Sequence, residues 1–301
     1  MKKYMAFDIG GYSVKYAVLD EAAKILEKGD FRTPKSLFEL LDSISNVTKK
    51  YENSYGFEGI AISSPGAVDN KLGIIKGSSA VPYIHGPNIR ELIEEKTGYK
   101  VGIENDANCA ALSEVWKGAA KNYNDIAFIV CGTGIGGAII KNRKLHLGKN
   151  LHGGEFGYFI MEKDFKKGEF LNWSEVGSIN ATTKYVATKK NIDIEKINGK
   201  KVFELAEEGD KDSIEAVERY YETMAIGIFN LQYFYDPEVI VLGGAVTQRA
   251  DLLDRINEKL DILMDNISIA KIRPIIKKCE FLNDSNLVGA VYNFINTFDG
   301  M

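Results

Sequence analysis

Apolar residues in the N-terminal third of the chain form short β-type runs, which glycine or charged residues interrupt. The segment "MAFDIGGYSVKYAVLDEAAKILEKGDF" predicts three strands, with a turn at Gly10 and Gly11 and a polar turn before the third strand. A helical pattern follows, with Thr33 as the predicted N-cap and Pro34 at the first helical position. Its apolar face consists of Leu37, Leu40, Leu41, Ile44, Val47 and Tyr51. The next run, "EGIAISSPG", predicts a buried strand that ends in glycine.

The same succession returns in the second half of the chain. The strand "DIAFIV" leads into "CGTGIGGAII", and β-forming residues resume after the polar turn "KNRK". After an irregular insert, the long helix "SIEAVERYYETMAIGIFNLQYFY" precedes another strand that ends in glycine, "PEVIVLGGAV". Two copies of hairpin, helix and strand predict a two-lobed α/β fold with duplicated mixed-sheet lobes, whose glycine turns face a common interlobe cleft.

The spacing of Gly132, Gly134 and Gly137 is also that of the dinucleotide-binding fingerprint, Gly-x-Gly-x-x-Gly. That fingerprint requires a helix directly after the glycines, because the pyrophosphate rests on the helix N-terminus. Here a β-run follows, so a nicotinamide site is disfavoured while phosphate binding stays open. For any single glycine turn, the simpler interpretation is a hairpin that needs a positive φ. The turns at Gly10-Gly11, Gly66, Gly132 to Gly137 and Gly243-Gly244 all end strands, and together they favour a polyphosphate site.

Composition narrows the class of protein. The chain has 301 residues, 45% of them hydrophobic, which is enough for one large or two medium domains. Its 38 basic and 42 acidic residues include no basic block, which disfavours nucleic-acid binding and favours a small substrate. Cys109, Cys131 and Cys279 are too scattered for a disulfide framework or a zinc knuckle. No apolar run approaches membrane-spanning length and the chain begins on a strand, so we expect a cytoplasmic protein without a membrane segment.

Acidic and amide side chains adjoin the glycine turns. In "VGIENDANCAALSEVWKG", a strand runs into a helix, with Asn105 and Asp106 at the junction. Both residues are good N-caps, and a carboxylate there can also accept a proton from a substrate hydroxyl that attacks phosphorus. Asp8 either shapes the first hairpin as an Asx-turn or holds Mg2+ against nucleotide phosphates. Lys15, on the next strand, points toward phosphate or into solvent.

Motifs in a fixed order run along nearly the whole chain, namely "DIGGYSVK", "ISSPGAVD", "ENDANCAALSE", "CGTGIGGAII", "GGEFGY" and "DPEVIVLGG". Their order and approximate spacing resemble those of the ROK family of sugar kinases and repressors. The resemblance implies the actin-like ATPase (ribonuclease H-like) fold of hexokinases, a homodimer, and sugar and ATP bound between the lobes with Mg2+. It also implies transfer of the ATP γ-phosphate to a sugar hydroxyl, usually on C6. The predicted lobes are 1–117, completed by a C-terminal helix at 287–301, and 118–286, which binds ATP and forms the dimer.

The resemblance also implies roles for individual residues. Asp106 matches the general base, Asn105 a sugar-hydroxyl ligand, and Gly66 a backbone contact to the sugar. Glu155 matches a second sugar-binding carboxylate, and Tyr158 stands at a further sugar contact. The positions expected to bind ATP are Asp8, Gly10, Gly11, Lys15, Gly132, Thr133, Gly134, Gly243 and Gly244.

Several positions depart from the family pattern. Tyr158 replaces a histidine that contacts sugar and ligates zinc, and "KKGEFLNWSEVGSINATT" replaces the family's cysteine cluster, so no zinc is expected. The glutamate after that cluster has no clear counterpart, since Ser178 falls in its slot and Glu175 lies close by. Tyr12 replaces a threonine whose hydroxyl contacts phosphate. Apart from Tyr12, the chain is most similar to the family's β-glucoside kinases, which phosphorylate cellobiose-like sugars.

Three functions are compatible with this resemblance. The first is a kinase for the C6 hydroxyl of glucose or of the non-reducing glucose of a β-glucoside such as cellobiose. The second is a monosaccharide kinase for glucose or N-acetylmannosamine, and the third is a sugar-binding regulator without kinase activity. Family repressors carry an additional N-terminal helix-turn-helix, for which the position of Asp8 in the first strand leaves no room. Retention of Asp106 and Glu155 favours an active enzyme.

Overall fold

The computed structural model describes residues 1–298. The strands, in chain order, are β1 Lys3–Ile9, β2 Ser13–Asp20, β3 Ile25–Arg32, β4 Gly59–Ser64, β5 Ala67–Asp69, β6 Ile74–Lys76, β7 Val101–Asn105, β8 Ile126–Cys131, β9 Ile135–Lys141, β10 Lys144–Leu145, β11 Ile160–Asp164, β12 Glu169–Asn172, β13 Val239–Gly243 and β14 Ile276–Lys278. The helices are α1 Leu37–Tyr55, α2 Ile89–Thr97, α3 Asp106–Trp116, α4 Trp173–Gly177, α5 Ile179–Lys190, α6 Gly199–Glu207, α7 Lys211–Tyr235, α8 Leu252–Asn266 and α9 Ser285–Phe298.

The first compact unit contains Met1–Asn122, Leu147–His152 and the chain from Glu280 onward. Its sheet has the strand order β3-β2-β1-β4-β7, in which β1 to β3 form an antiparallel meander and β4 and β7 run parallel to β1. Apolar residues of α1 and α2 cover one face of the sheet, and those of α9 cover the other. Because β4 is buried on both faces, its sequence is a continuous run of small and apolar residues.

The second unit contains Tyr123–His146 and Gly153–Cys279. Its sheet, β10-β9-β8-β13-β14, repeats the arrangement of the first, with an antiparallel hairpin followed by two parallel strands. The predicted duplication of α/β lobes with mixed sheets is therefore confirmed. Trp173 is fully buried and lies against α7 at Gly227, where a Cβ atom would come within 2.1 Å of the indole. A glycine in the interior of this helix thus makes room for the largest side chain of the core.

The start of helix α1 differs from the prediction. The helix begins at Leu37 rather than at Pro34, and Ser36 is its N-cap, accepting a hydrogen bond from a first-turn N–H at 3.3 Å. The predicted cap, Thr33, serves the first glycine turn instead, because its hydroxyl donates to the Gly10 carbonyl at 2.5 Å. The predicted apolar face is correct, with its residues buried in or packed against the core of the first unit.

Asp210 links the N-terminus of α7 to α5. Its carboxylate accepts hydrogen bonds from the Ser213 N–H at 2.9 Å and from the Lys190 ammonium at 2.5 Å. The Lys190 ammonium, together with the donors of Ser213, lowers the pKa of Asp210 to about 2. Because this folded-state pKa lies below the ordinary value of about 3.9, ionised Asp210 stabilises the fold above about pH 4 and loses that contribution as the pH falls toward 2.

Asp210→Asn is therefore expected to lower the thermal unfolding midpoint at neutral pH, since the amide keeps the cap but loses the ion pair. The difference from wild type should shrink as the pH is lowered below about 4, where the wild-type carboxylate takes up a proton. Lys190→Met is the matched variant, because it removes the same pair from the other side. A difference that stays constant across a pH series of thermal melts would contradict this assignment.

Candidate functional site

The junction between β7 and α3 holds the two residues expected to contact substrate. Helix α3 begins at Asp106, and Asn105 is its N-cap, with Oδ1 accepting from the Asn108 N–H at 3.2 Å. The Asn105 amide donates to the Gly66 carbonyl at 3.0 Å. Asp106 Oδ1 accepts from the Ala107 N–H at 2.8 Å, in a first turn where the helix dipole favours a negative charge. Of the two candidate caps the structure selects Asn105 as the N-cap, and Asp106 is the first residue of the helix.

Gly66 reaches Asn105 through a conformation that favours glycine. Its φ is 102°, and a Cβ atom would lie 2.8 Å from Ile75 Cγ2 and 2.9 Å from His85 Cε1. The prediction of a positive-φ glycine is confirmed here, because both the backbone conformation and the close neighbours disfavour a side chain at this position. The turn directs the Gly66 carbonyl toward the start of α3 and brings together two of the residues predicted to bind sugar.

Asp8 lies on β1 at the first glycine turn, beside β4 and α9. Its Oδ1 accepts from Ser63 Oγ at 2.8 Å and from Asn286 Nδ2 at 3.0 Å. Among the described residues Oδ2 has no such partner, so these two bonds orient the carboxylate while leaving one oxygen available. A carboxylate of this kind fits Mg2+ held directly or through water. Lys15 pairs directly with Asp8 in the β1–β2 register and is exposed.

Close packing, rather than a positive φ, explains Gly10 and Gly11. Neither has a left-handed φ, but a Cβ on Gly10 would lie 2.8 Å from the Ser13 carbonyl oxygen, and one on Gly11 would lie 2.6 Å from Ala80 Cβ. The hairpin between β1 and β2 is therefore confirmed at this turn, whereas the positive φ expected of its glycines is wrong. Tyr12 is 81% exposed beside it.

The glycine turn of the second unit connects β8 to β9. The Gly132 N–H donates to the Gly134 carbonyl at 3.0 Å, and Gly132 and Thr133 are exposed at its tip. Here too the glycines lack a positive φ. Ser174, in the first turn of α4, accepts from the Ile135 N–H at 2.9 Å, and a Cβ on Gly134 would lie 3.3 Å from its hydroxyl oxygen. Ser174 thus supports the turn, a role that its place after the helix cap does not reveal in the sequence.

A cavity of about 610 Å³ opens beside this turn, within the second unit. Gly132 and Thr133 form one part of its lining, and residues of Ala245–Gln248 form another. Gly244, with a φ of 97°, turns the chain from β13 into this segment, where a Cβ would lie only 2.1 Å from the Cys131 carbonyl oxygen. The apolar part of the lining comes from Ile179, Ile194, Ile197, Phe203 and Val246. An apolar cavity with a glycine turn at its edge suits an aromatic base that carries phosphates.

The segment from Glu155 to Tyr158 packs against the same glycine turn. A short 3-10 helix, Phe156–Tyr158, buries Phe156, and a Cβ on Gly157 would lie 2.2 Å from the Ile135 carbonyl oxygen. Within residues 1–298, the Glu155 carboxylate makes no hydrogen bond or ion pair, and the Tyr158 side chain is 70% exposed. The second unit therefore presents an uncommitted carboxylate and an open phenol ring near its phosphate-type turn.

Glu175 and Ser178, the two residues near the position of the family's second sugar-binding glutamate, both use their side chains to cap helices. Glu175 belongs to the capping box of α4, where its carboxylate accepts from the Asn172 N–H at 2.9 Å. Ser178 is buried and caps α5 by accepting from the Ala181 N–H at 3.0 Å. The side chain that meets the glycine turn in this region is Ser174.

The histidine, cysteine and carboxylate side chains of the described residues are too dispersed for a metal site. Residues 1–298 contain no group of three or more such side chains that could hold a metal ion. Cys109, Cys131 and Cys279 form no disulfide, and exposed His152 places Nδ1 2.6 Å from the Asn150 carbonyl oxygen. In the same part of the chain, no helix combines the length and apolar character needed to cross a membrane.

Known proteins match this chain over almost its full length. A β-glucoside kinase of Listeria monocytogenes serovar 1/2a is 31% identical over 306 residues, 97% of this chain and 97% of that protein. An N-acetyl-D-glucosamine kinase of Aliivibrio salmonicida is 31% identical over 294 residues, 91% of this chain and 94% of its own. The crystal structure of a ROK family protein from Streptococcus pneumoniae TIGR4 in complex with sucrose has a TM-score of 0.90 and 36% identity, covering 99% of this chain and 100% of that one.

These matches confirm the actin-like ATPase fold that the motifs implied. The sequence profile of the ROK family matches residues 4–296, a range that includes every glycine turn together with Asp8, Asp106 and Glu155. By motif order, by fold and by the extent of this match, the chain belongs to the ROK family.

Proposed function

We propose that this ROK-family protein is an ATP-dependent sugar kinase that phosphorylates the C6 hydroxyl of glucose or of the non-reducing glucose of a β-glucoside. The observation that carries the proposal is that Asn105 and Asp106 have different roles at the β7–α3 junction. Asn105 is the N-cap and binds Gly66, while Asp106 is the first residue of the helix and keeps a carboxylate in the first turn, where its Oδ1 accepts from the Ala107 N–H. A carboxylate so placed is suited to accept the proton of an attacking hydroxyl.

In this proposal the residues of the first unit bind and activate the sugar. Asn105 and the backbone at Gly66 hold sugar hydroxyls, and Asp106 takes the proton as the hydroxyl oxygen bonds to phosphorus. From the family resemblance, Glu155 and Tyr158 are proposed as further sugar contacts, and neither side chain is engaged elsewhere in the described chain. Phosphoryl transfer depends chiefly on positioning and charge stabilisation, so none of these residues has to form a covalent bond to the substrate.

ATP is assigned to the cavity of the second unit, with the adenine among its apolar residues. The phosphates would then lie at Gly132 and Thr133, where the exposed backbone of Gly132 is accessible without interference from a Cβ. Bound Mg2+ would supply charge neutralisation of the phosphate oxygens, and Asp8 would hold it through its available oxygen. We expect no requirement for zinc.

The substrate assignment rests on Tyr158 and on the relatives. A phenol ring offers an apolar face that suits the C–H surface of a pyranose, and at 70% exposure the ring leaves space beside it. Among the relatives, one is named a β-glucoside kinase and another was crystallised with the disaccharide sucrose. The ring of Tyr158 and the sucrose complex favour a disaccharide substrate, and the β-glucoside kinase relative favours one with a β-linked glucose.

A phosphorylation screen with ATP and Mg2+, in the presence of a zinc-selective chelator, tests the substrate. Cellobiose and gentiobiose are expected to give kcat/KM values at least equal to those of glucose, N-acetylmannosamine and N-acetylglucosamine. A monosaccharide value more than about tenfold higher, a transition-state preference of about 1.4 kcal/mol, would exclude the disaccharide assignment while leaving a kinase. If the protein binds a sugar but forms no ADP from ATP with any sugar of the screen, it would instead be a regulator.

A further inference from the structure

Glu104 is a fully buried carboxylate that directly precedes the proposed sugar ligand. Its Oε1 accepts from the Asn105 N–H at 2.7 Å and from Asn108 Nδ2 at 2.9 Å, and its Oε2 accepts from Asn70 Nδ2 at 2.5 Å. Burial raises the pKa of this carboxyl, and the three donors oppose the rise. Within residues 1–298 no Lys or Arg forms an ion pair with it, so amide groups alone compensate a group that is costly to bury.

The three donors come from segments that form the proposed sugar site. Asn105 holds the Gly66 carbonyl, and Asn108 supplies the backbone N–H that Asn105 caps. Asn70 lies in the turn between β5 and β6, the hairpin that begins directly after Gly66. One carboxylate thus holds the start of α3 and the Gly66 hairpin from behind.

We propose that Glu104 is a positioning residue, whose hydrogen bonds to Asn70, Asn105 and Asn108 fix the sugar-binding pair of Gly66 and Asn105 and the adjacent Asp106. The proposal rests on the sugar kinase activity proposed above. Glu104 itself does not touch the reacting atoms. It orients the residues that do, and the geometry of such residues must be held within a fraction of an ångström for efficient transfer.

The side chain of Asn70 provides a means to separate positioning from simple burial. Asn70 Nδ2 binds Glu104, whereas Asn70 Oδ1 is buried without a hydrogen-bond partner, and the Asn70 carbonyl accepts from the Arg90 guanidinium. In Glu104→Gln, the new Oε1 can still accept from Asn105 and Asn108. The new amide nitrogen can then donate to Asn70 Oδ1 once the Asn70 amide has turned over.

The test is a double-mutant cycle at Asn70 and Glu104. Asn70→Asp places two carboxylates against each other in a buried site, and we expect kcat/KM for the sugar to fall at least about 100-fold. Glu104→Gln should stay within about threefold of wild type, because every hydrogen bond can be re-formed. The double variant restores a donor opposite an acceptor, and it should recover to within about fivefold of wild type.

Kinetic constants measured separately for the sugar and for ATP distinguish a positioning role of Glu104 from a role in folding alone. The loss in Asn70→Asp should fall on kcat and on KM for the sugar, while KM for ATP stays within about twofold, because the network lies behind the sugar residues only. Asn88→Asp is the matched control, because it turns a second amide that donates to a glutamate, Glu91, into a carboxylate at the half-buried N-cap of α2, and its sugar kinetics should be those of wild type. Thermal melts of all variants run in parallel, and the double variant remains informative if Asn70→Asp alone fails to fold.

Three outcomes would overturn the proposal. They are an active Asn70→Asp protein, a double variant that regains its melting temperature without regaining sugar turnover, and an equal loss of ATP affinity. Wild-type protein that phosphorylates no sugar would refute the proposed function instead. In that case the unfolding midpoints of the cycle still report whether Asn70 and Glu104 interact as described.

Discussion

Asp106→Asn is expected to reduce kcat by about two to four powers of ten, the range typical of general acid–base catalysis. The amide keeps an oxygen that can accept from the Ala107 N–H, and Asn105 remains the N-cap, so the helix start is preserved. What disappears is the group that can take a proton. The melting temperature should therefore stay near that of wild type, and steady-state kinetics with ATP and the best sugar of the screen measure the loss.

Asp212→Asn is the matched control for this variant. Asp212 is the acidic residue in the first turn of α7, so its substitution also removes a negative charge from a helix N-terminus. It lies outside the proposed site, and kcat should be unchanged. An Asp106→Asn enzyme that kept more than about a tenth of wild-type turnover would restrict Asp106 to a structural role.

The second large effect is expected at Gly289, where α9 crosses α3. A Cβ atom at this position would lie 1.6 Å from the Cys109 carbonyl oxygen and 2.4 Å from its carbonyl carbon. Both are backbone atoms of a helix, so no side-chain rotation can relieve the overlap and the helices must separate. We expect Gly289→Ala to lower the free energy of unfolding by about 3 kcal/mol or more, at the upper end of overpacking effects.

Urea denaturation followed by circular dichroism measures this loss, and Gly132→Ala provides the comparison. Gly132 has no left-handed φ, and a Cβ there would meet nothing within 4 Å, so its unfolding free energy should change by no more than about 0.5 kcal/mol. Equal stabilities of the two alanine variants would mean that α3 and α9 can move apart without cost.

The sequence alone determined the succession of elements and the family. Regular spacing of apolar residues predicts β1 to β3, the face of α1 and the long helix α7, because a one-sided core imposes a period of two on strands and of 3.6 on helices. The two copies of this pattern predict the duplicated sheets. The order of the motifs predicted the candidate site residues, because glycine turns and carboxylates at strand ends are recognisable in the sequence itself.

Tertiary structure decided which of several equally suitable local partners is used. Thr33 and Ser36 are both good caps, yet Thr33 is taken by the Gly10 carbonyl. Asn105 and Asp106 are likewise both good caps, and the position of Gly66 beside β7 selects Asn105. These choices depend on contacts between segments far apart in sequence, which propensity does not encode.

The same reason explains the residues that the sequence left unnoticed. Ser174 reaches the Gly134 turn only because α4 packs against the start of β9, and Glu104 meets Asn70 only because β4 pairs with β7 and carries the following hairpin to it. Sequence gives each of these residues a place on a helix or a strand. Burial, and the need to satisfy every buried polar group, then determines the partner, and that requirement acts only once the sheets have formed.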